Sequence, residues 1–482
     1  MRKKLLGTIA ALAAGAGGAL AQSPAKTVAP AAIGTVGAFD SGMTDPAVRL
    51  ASGHSNPVVP PPLGGMDGVP PGGGLGVDPM MGGGPVYPPP GIQGGAAWDE
   101  PPIAGGLFGG GPSTFYVDGQ YLLLFPEKQP VGFPLLTSGS PAAGEQGRIG
   151  SSTTIALAGN RGTLNLGSTS GFRINAGLWR PQDHRLGVDV GGLYMAPVSN
   201  SVFMRSSDQG IPVLARPFIS TATGAQSVLI ASSPGIVSGD VASRATTTFW
   251  SIEANALLNL YRSCPDNCRS WTLNLLFGYR FAEHNETLSL STRSTALPGR
   301  TLPYAGVTVG SPTTIEVRDS FDALNKFHGG QVGLQSQFTS GRWYVGATGK
   351  VAFGATNQRV IVDGTSAAVN PIDGTSSQTL GGLFANSSNI GRYKTDQFAI
   401  LTDVNATLGY NFTRWLTGTV GYNFIHLSAA ARPGNLFNGQ VDPALVPTSG
   451  TYGTGANGSP VFQVRQDDFF VHGLNFGFLV RY

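Results

Sequence analysis

The chain has 482 residues, enough for one large domain or two ordinary ones. Glycine (71 residues) and proline (35) are far above ordinary usage and only 12% of the residues are charged, so the composition favours an all-β chain with long loops. The net charge of +3 is too small and dispersed for a nucleic-acid-binding surface. No stretch beyond the amino terminus has 18 consecutive apolar residues, which excludes a helical membrane protein.

The amino terminus has the pattern of a secretory signal peptide. Its basic start, Met1–Lys4, is followed by the apolar run Leu5–Leu20 and by small residues at Ala19 and Ala21. We predict a signal peptide over residues 1–21 that is cleaved after Ala21. A short membrane anchor is less favoured, because the run is short and rich in Gly and Ala.

Residues 22–112 contain too few apolar side chains to form a core. From Asn56 to Pro112 more than half of the positions are Gly or Pro. Such a segment buries too little apolar surface to offset its ordering entropy, so we predict a disordered Pro/Gly-rich periplasmic tether. Contact of the tether with the cell wall or with a partner is a second interpretation, for which the segment offers no specific motif.

From Thr114 onward, apolar and polar residues alternate with the period of two that is typical of β-strands. The clearest segment places Trp271 and Leu273 on one face and Thr272 and Asn274 on the other. Ten such segments can be counted: Phe115–Phe125, Phe172–Trp179, Val188–Tyr194, Phe249–Tyr261, Trp271–Phe281, Gln331–Phe338, Trp343–Phe353, Phe398–Phe412, Leu416–Phe424 and Leu474–Tyr482.

The connections between these segments alternate strictly between short and long. Short periplasmic turns and long external loops are typical of outer-membrane barrels, and the sheet has to close because backbone groups in lipid must all be paired. We therefore predict an all-β fold, a closed antiparallel transmembrane β-barrel of ten strands over residues 113–482. Twelve strands are the alternative, if Gln226–Ala231 or Arg359–Val362 adds a hairpin.

Aromatic residues and the last strand support a membrane setting. Aromatic girdles form at both membrane interfaces, and the predicted girdle residues are Trp250, Trp271, Trp343, Trp415 and Tyr482. The final strand, which ends on Tyr482, resembles the closing strand of bacterial outer-membrane barrels. The expected partners are outer-membrane lipid and, through this strand, the barrel-insertion machinery.

Charged residues fall on the face of the strands opposite the apolar one. The lumen or constriction candidates are Asp118, Arg173, Asp189, Glu253, Arg280, Lys350 and Asp403. Charges of both signs in a narrow lumen must pair or stay hydrated, so they form either a plug of ion pairs or a constriction that selects solutes by charge. Barrels of about eight strands are filled by side chains, so a size of ten favours the plug.

Two other groups of residues deserve a chemical interpretation. Cys264 and Cys268 lie in the second short turn and are predicted to form a small disulfide loop in an oxidising compartment; a redox-active pair is less favoured. The histidines His284, His328, His426 and His472 are predicted near the external rim, where an Asp/His pair could activate water. No compact motif joins these histidines, so we predict no catalytic residue, metal site or cofactor.

A series of motifs is spread in order from Thr114 to the carboxyl terminus. They are Phe115–Leu123, Leu135–Gly139, Phe249–Asn255, Leu276–Phe281, Asp319–Phe321, Asn325–Gly333, Lys350–Gly354, Val420–Phe424, Arg432–Asn435 and Gly473–Gly477. Together they resemble β-barrel porin family 7 (BBP7) of outer-membrane proteins. The resemblance implies an outer-membrane barrel and carries no established substrate. The chain departs from the family at Leu436–Asn438, which bears on a loop.

Three functions follow as hypotheses for an outer-membrane protein of a Gram-negative-type bacterium. The first is a narrow, porin-like passive channel for small solutes or ions. The alternative is a plugged structural or surface-display barrel that acts through its external loops. The third is a rim-located hydrolase.

Overall fold

The computed structural model describes residues 114–482 except 143, 183, 264–268 and 456–457. The predicted signal peptide, the tether and the two cysteines lie outside the described residues. Among the residues that are described, no helix is long and apolar enough to cross a membrane.

Ten strands form the barrel wall. They are β1 (Phe115–Pro126), β2 (Thr169–Trp179), β3 (Leu186–Arg205), β4 (Val237–Arg262), β5 (Arg269–Ala296), β6 (Thr314–Ser340), β7 (Trp343–Val369), β8 (Gly391–Asn411), β9 (Leu416–Ala431) and β10 (Gln466–Arg481).

Each wall strand pairs antiparallel with its neighbours in the chain, and β10 pairs with β1 to close the ring. The prediction of a closed ten-stranded barrel is confirmed. The twelve-stranded alternative is wrong: Gln226–Ser232 pairs with a loop strand, and Arg359–Val362 is part of β7. The short turns gather at one end of the ring and the long loops at the other, here called the short-turn end and the long-loop end.

The outer face of the barrel carries an apolar belt. In β5 the outward side chains are apolar from Trp271 to Phe281, which is the length of about 9–11 residues that a tilted strand needs to cross a bilayer. Trp271, Trp343 and Tyr482 lie at the short-turn margin of the belt. Trp250 lies at the other margin, where its ring packs 5.1 Å from that of Phe281.

Beyond the belt the polarity of the wall inverts. The next outward residues of β5 are Glu283 and Asn285, whereas the inward residues become Leu288 and Leu290, which are at most 1% exposed. The strand thus continues above the membrane with a wet outer face and an apolar inner face. Strands β4 to β7 have 26–28 residues each for this reason.

The long loops fold inward and fill this upper part of the barrel. Three of them contribute to a small five-stranded sheet, made of Leu136–Gly139, Ile155–Ala158, Val213–Ser220, Gln226–Ser232 and Gln440–Val441. Its apolar side chains, with Phe384 and Phe437 from other loop segments, pack against the inward residues of the wall in one continuous cluster, called the loop core below.

Candidate functional site: a filled barrel interior

The lower interior, inside the membrane belt, is held by a buried ion network. Asp403 of β8 accepts hydrogen bonds from Arg173 Nη2 of β2 at 3.0 and 3.1 Å, and from Arg280 Nη1 of β5 at 2.9 Å. Arg280 Nη2 also donates to Ser251 Oγ at 3.0 Å. Three strands separate β2 from β8 along the shorter arc of the ring, so the Arg173–Asp403 pair crosses the lumen.

Glu253 of β4 extends the network. Its carboxylate lies 3.4 Å from Arg280 Nη1, forms an ion pair with Lys350 of β7, and accepts a hydrogen bond from Gln331 Nε2 at 3.0 Å. Gln331 also donates to Asn255, and Asn255 Nδ2 donates to Asp189 at 3.2 Å. Six of the seven predicted lumen residues are therefore joined in one chain of contacts.

The remaining candidate, Asp118, accepts a hydrogen bond from Gln120 Nε2 at 2.6 Å and lies on the same inward face. Near it, the hydroxyl of Tyr116 donates to Asp189 Oδ2 at 2.6 Å. The side chains of the ion pairs are at most 11% exposed. The three lumen cations are thus each paired with a carboxylate in a space from which bulk water is largely excluded, as buried charges require.

Above the network lies a layer of apolar side chains. Phe249 of β4 and Phe469 of β10 approach with ring centroids 5.9 Å apart, although three strands lie between them along the ring. The layer takes side chains from nine of the ten strands, and none is more than 4% exposed. Its members, called the apolar layer, are Leu122, Leu124, Leu193, Met195, Phe249, Ala282, Phe327, Ala352, Ala399, Leu401, Ile425, Leu427, Ala430, Phe469 and Val471.

Arg432, at the start of the last long loop, ties several elements together above the apolar layer. It is fully buried and makes a two-pronged pair with Glu286 of β5, at 3.1 and 3.0 Å. Its Nη1 donates to Glu127 Oε2 at 2.9 Å, and its Nη2 donates to the carbonyl of Lys128 at 3.0 Å. One guanidinium therefore joins the first loop, the last loop and the wall.

Glu286 and the adjacent His284 lie beyond Phe281 and hence above the belt. Burial alone would raise the pKa of Glu286, but attraction by Arg432 and the contact with His284 outweigh it and lower the pKa to about 2. Burial lowers the pKa of His284 below its ordinary value, so its ring is neutral at pH 7 and stacks on Phe469 at 3.8 Å. Glu286 is therefore ionised at neutral pH and is the counterion of Arg432.

A second buried ion pair anchors two other loops. Arg216 of the second long loop donates from Nη2 to Asp319 Oδ2 of β6 at 2.5 Å, and both side chains have no solvent exposure. The other oxygen of Asp319 accepts the backbone N–H groups of Phe384 and Ala385, at 2.9 and 2.7 Å. The loop core is therefore fixed to the wall by charge as well as by apolar packing.

The four predicted rim histidines are separated by the wall. His284 faces inward, whereas His328 and His472 face outward and share hydrogen bonds with the hydroxyls of Tyr279 (2.7 Å) and Tyr422 (2.9 Å). The outward His426 lies 3.2 Å from Asp468, whose side chain is 64% exposed. In the part of the chain that is described, no three His, Cys, Asp or Glu side chains are placed to hold a metal ion.

The two loop arginines, Arg216 and Arg432, are site residues that were not predicted from the sequence. A signal was present: Arg216 interrupts the apolar run Val213–Ile219, and Arg432 follows three alanines. A charge inside an apolar segment predicts a buried, paired side chain, because lysine and arginine are almost never fully buried otherwise. The partner residues could not be predicted, since they lie on distant strands.

Comparisons with known proteins fit this architecture. A family model described as "Putative beta barrel porin-7 (BBP7)" matches residues 116–482, and no curated protein matches. Among solved structures, the outer-membrane protease OmpT from Escherichia coli aligns with a TM-score of 0.34 and 8% identity, covering 77% of this chain and 97% of that one. Outer-membrane expressed OmpT of Vibrio cholerae gives 0.11 and 10% (76% and 97% covered).

A bacterial polysaccharide outer-membrane secretin gives a TM-score of 0.13 and 6% identity, with 77% and 99% of the two chains covered. Likenesses at these TM-scores carry no argument about this chain. The family match does, because it extends over the whole described barrel. The resemblance seen in the sequence motifs is confirmed, and the chain belongs to the BBP7 family of outer-membrane β-barrel porins.

Proposed function

We propose that the protein is a sealed outer-membrane barrel that acts through the surface of its ordered long loops. In this proposal it resides in the outer membrane of a Gram-negative-type bacterium, with the short turns in the periplasm and the long loops outside. The observation that carries the proposal is the apolar layer: fifteen side chains from nine strands meet across the lumen with almost no exposure. An ion in such a layer would lose its hydration without gaining a partner.

Two further features support a closed state. The loop core above the layer is packed and is anchored by Arg432 and by the Arg216–Asp319 pair. The ion network below is internally paired, so its charges are already neutralised. Opening a path would require breaking buried ion pairs, each costing about 3–5 kcal/mol when one partner is lost.

A narrow passive channel is the competing function. The charged network lies where a selective constriction would lie, within the membrane belt, and Lys350 and Asp403 are on different strands around it. A channel would need the apolar layer and the loop core to move aside. It would also require the Arg173–Asp403 bridge across the lumen to open.

Planar-bilayer conductance of the full chain separates the two functions. We expect the wild type to be electrically silent under conditions in which its strands remain protected from hydrogen exchange. Discrete conductance steps of the wild type, with ion selectivity altered by Lys350→Glu or Asp403→Asn, would establish the channel and contradict the sealed barrel.

A further inference from the structure

Arginines gather at the short-turn end of the barrel. Each of the four short turns holds or borders at least one arginine, and the end of β10 adds another. The same stretches of the sequence contain two acids, Asp183 and Asp266. Even with each acid matched to one arginine, five positive charges remain at this end. The seven residues, called the arginine ring, are Arg180, Arg185, Arg262, Arg269, Arg342, Arg414 and Arg481.

Most members of the arginine ring stand next to an aromatic residue in the chain. The neighbouring pairs are Trp179–Arg180, Tyr261–Arg262, Arg342–Trp343, Arg414–Trp415 and Arg481–Tyr482. Trp343 and Trp415 are 49% and 42% exposed on the outside of the barrel. Aromatic side chains at the margin of a membrane belt lie at the level of the lipid headgroups. The arginines beside them are therefore at the same level, and their long side chains extend toward the headgroups.

Backbone hydrogen bonds hold the arginines at this rim. The Asn411 N–H donates to the carbonyl of Arg342 at 2.8 Å, which links the third short turn to the end of β8. The N–H of Arg481 donates to the carbonyl of Trp415 at 3.0 Å, which links the end of β10 to the fourth turn. The Arg342 side chain is nevertheless exposed. The backbone of the ring is thus part of the wall, while its charges point into the surroundings of the barrel.

The two margins of the belt differ in charge. Arg269, Arg342 and Arg414 are exposed, and none of them forms an ion pair with a carboxylate in the described residues. At the opposite margin acids and bases are mixed, and Lys326 pairs there with Glu283 at 3.3 Å. The described residues of the short turns include no acid. The short-turn margin is therefore the one that attracts anions from the membrane surface.

We propose that the arginine ring binds the phosphate groups of anionic phospholipids in the leaflet at the short-turn end. Clusters of about four to eight basic residues beside a membrane span attract anionic lipid. A guanidinium donates parallel hydrogen bonds to one phosphate, which a solvated ion at the same distance does not replace. Because the ring runs around the barrel, it contacts several lipids at once. The proposal depends on the membrane position of the belt and is independent of whether the lumen is sealed.

The test uses the full chain in bilayers with equal amounts of phosphatidylglycerol and phosphatidylcholine, and native mass spectrometry measures the lipids that stay bound. We expect the wild type to retain phosphatidylglycerol in preference to phosphatidylcholine. The variant with Arg269→Gln, Arg342→Gln and Arg414→Gln should lower the retained ratio of the two lipids by about fivefold.

The matched control removes the same number of charges from the upper outer wall. It carries Arg205→Gln, Arg244→Gln and Arg293→Gln, at three exposed positions well above the belt. Charges at that distance from the headgroups are screened by salt, so the lipid ratio should stay within about twofold of wild type. An equal loss in this control would overturn the proposal, because the effect would then follow total charge and not the arginine ring.

The remaining outcomes are decisive as well. Lysine in place of Arg269, Arg342 and Arg414 keeps the charges and should keep the preference for phosphatidylglycerol. An equal loss in the lysine and glutamine variants would overturn the electrostatic argument. A wild type that retains both lipids equally would overturn the proposal, and the ring would then be a site for a soluble anion.

Discussion

Asp319 connects the loop core to the barrel wall. Its replacement by Asn removes the charge of this connection and leaves the size of the side chain unchanged. Its carboxylate pairs with Arg216 and accepts the N–H groups of Phe384 and Ala385, in a region without solvent exposure. Asp319→Asn leaves the Arg216 guanidinium buried without its counterion, at a cost of about 3–5 kcal/mol. The wall strands keep their hydrogen-bond ladders, so we expect the cost to appear as local opening of the loops.

Hydrogen exchange of the Phe384 and Ala385 amides measures this opening. A cost of about 3–5 kcal/mol corresponds to a loss of protection of about two to four orders of magnitude. The control is Asp322→Asn on the same strand, where the outward carboxylate contacts Ser320 and forms no ion pair in the described structure. Unchanged protection in Asp319→Asn, or an equal loss in the control, would show that Asp319 does not hold the loops to the wall.

Three further predictions concern the Arg432–Glu286 pair, the belt and the loop core. The pKa of Glu286 is lowered from 4.5 to about 2, so its ionised form contributes about 3 kcal/mol to the free energy of unfolding. This contribution is present above pH 4.5 and is lost as the pH falls through 2. Hydrogen exchange of the loops, measured as the pH is lowered, should show this loss in wild type and not in Glu286→Gln. Leu275→Arg at the middle of the belt should cost about 2–4 kcal/mol of folding free energy in bilayers, whereas Ser289→Arg, outward on the same strand above the belt, should cost less than about 1 kcal/mol. Phe437→Ala, which removes a ring stacked on Phe321 at 4.5 Å, should destabilise the loop core by about 3–5 kcal/mol in denaturant titrations followed by loop fluorescence or exchange.

The ring of strands could be predicted because the belt has a simple pattern. Apolar residues outward and polar residues inward give a clear period of two, and it was read correctly in all ten strands. The strand ends were wrong on the loop side: β4 begins at Val237, not near Phe249, and β5 continues to Ala296. Above the belt the outer face of the strands contacts water instead of lipid, and the inner face contacts the apolar loop core instead of the polar network. The alternation of apolar and polar residues therefore inverts. The difference in hydrophobicity between the two faces is also smaller there, because Ser and Thr line the outer face.

The interior could also be predicted only in part. The alternation along each strand shows which residues face inward, but it does not show which of them contact each other. Asp118, Glu253 and Asp403 could be assigned to the inward face by counting along each strand, because side-chain direction in a strand is fixed by position. Their partners across the lumen could not, since Arg173 reaches Asp403 only through the closure of the whole ring. The apolar layer was not predicted either. Its inward leucine and alanine residues come from nine different strands, and only the strand register shows that they lie at the same level of the barrel. Without the register they cannot be told from apolar residues that face the lipid.

The most direct test of the sealed interior is chemical access to the apolar layer. In a Cys264→Ser, Cys268→Ser background, Ala282→Cys places a thiol on the inward face of β5 between Arg280 and His284, where the native residue is 1% exposed. A membrane-impermeant thiol reagent should label Ser289→Cys on the wet outer wall rapidly. We expect Ala282→Cys to stay unlabelled from both sides of the bilayer. Rapid labelling of Ala282→Cys in the folded barrel would mean that water crosses the apolar layer and that the interior is not sealed.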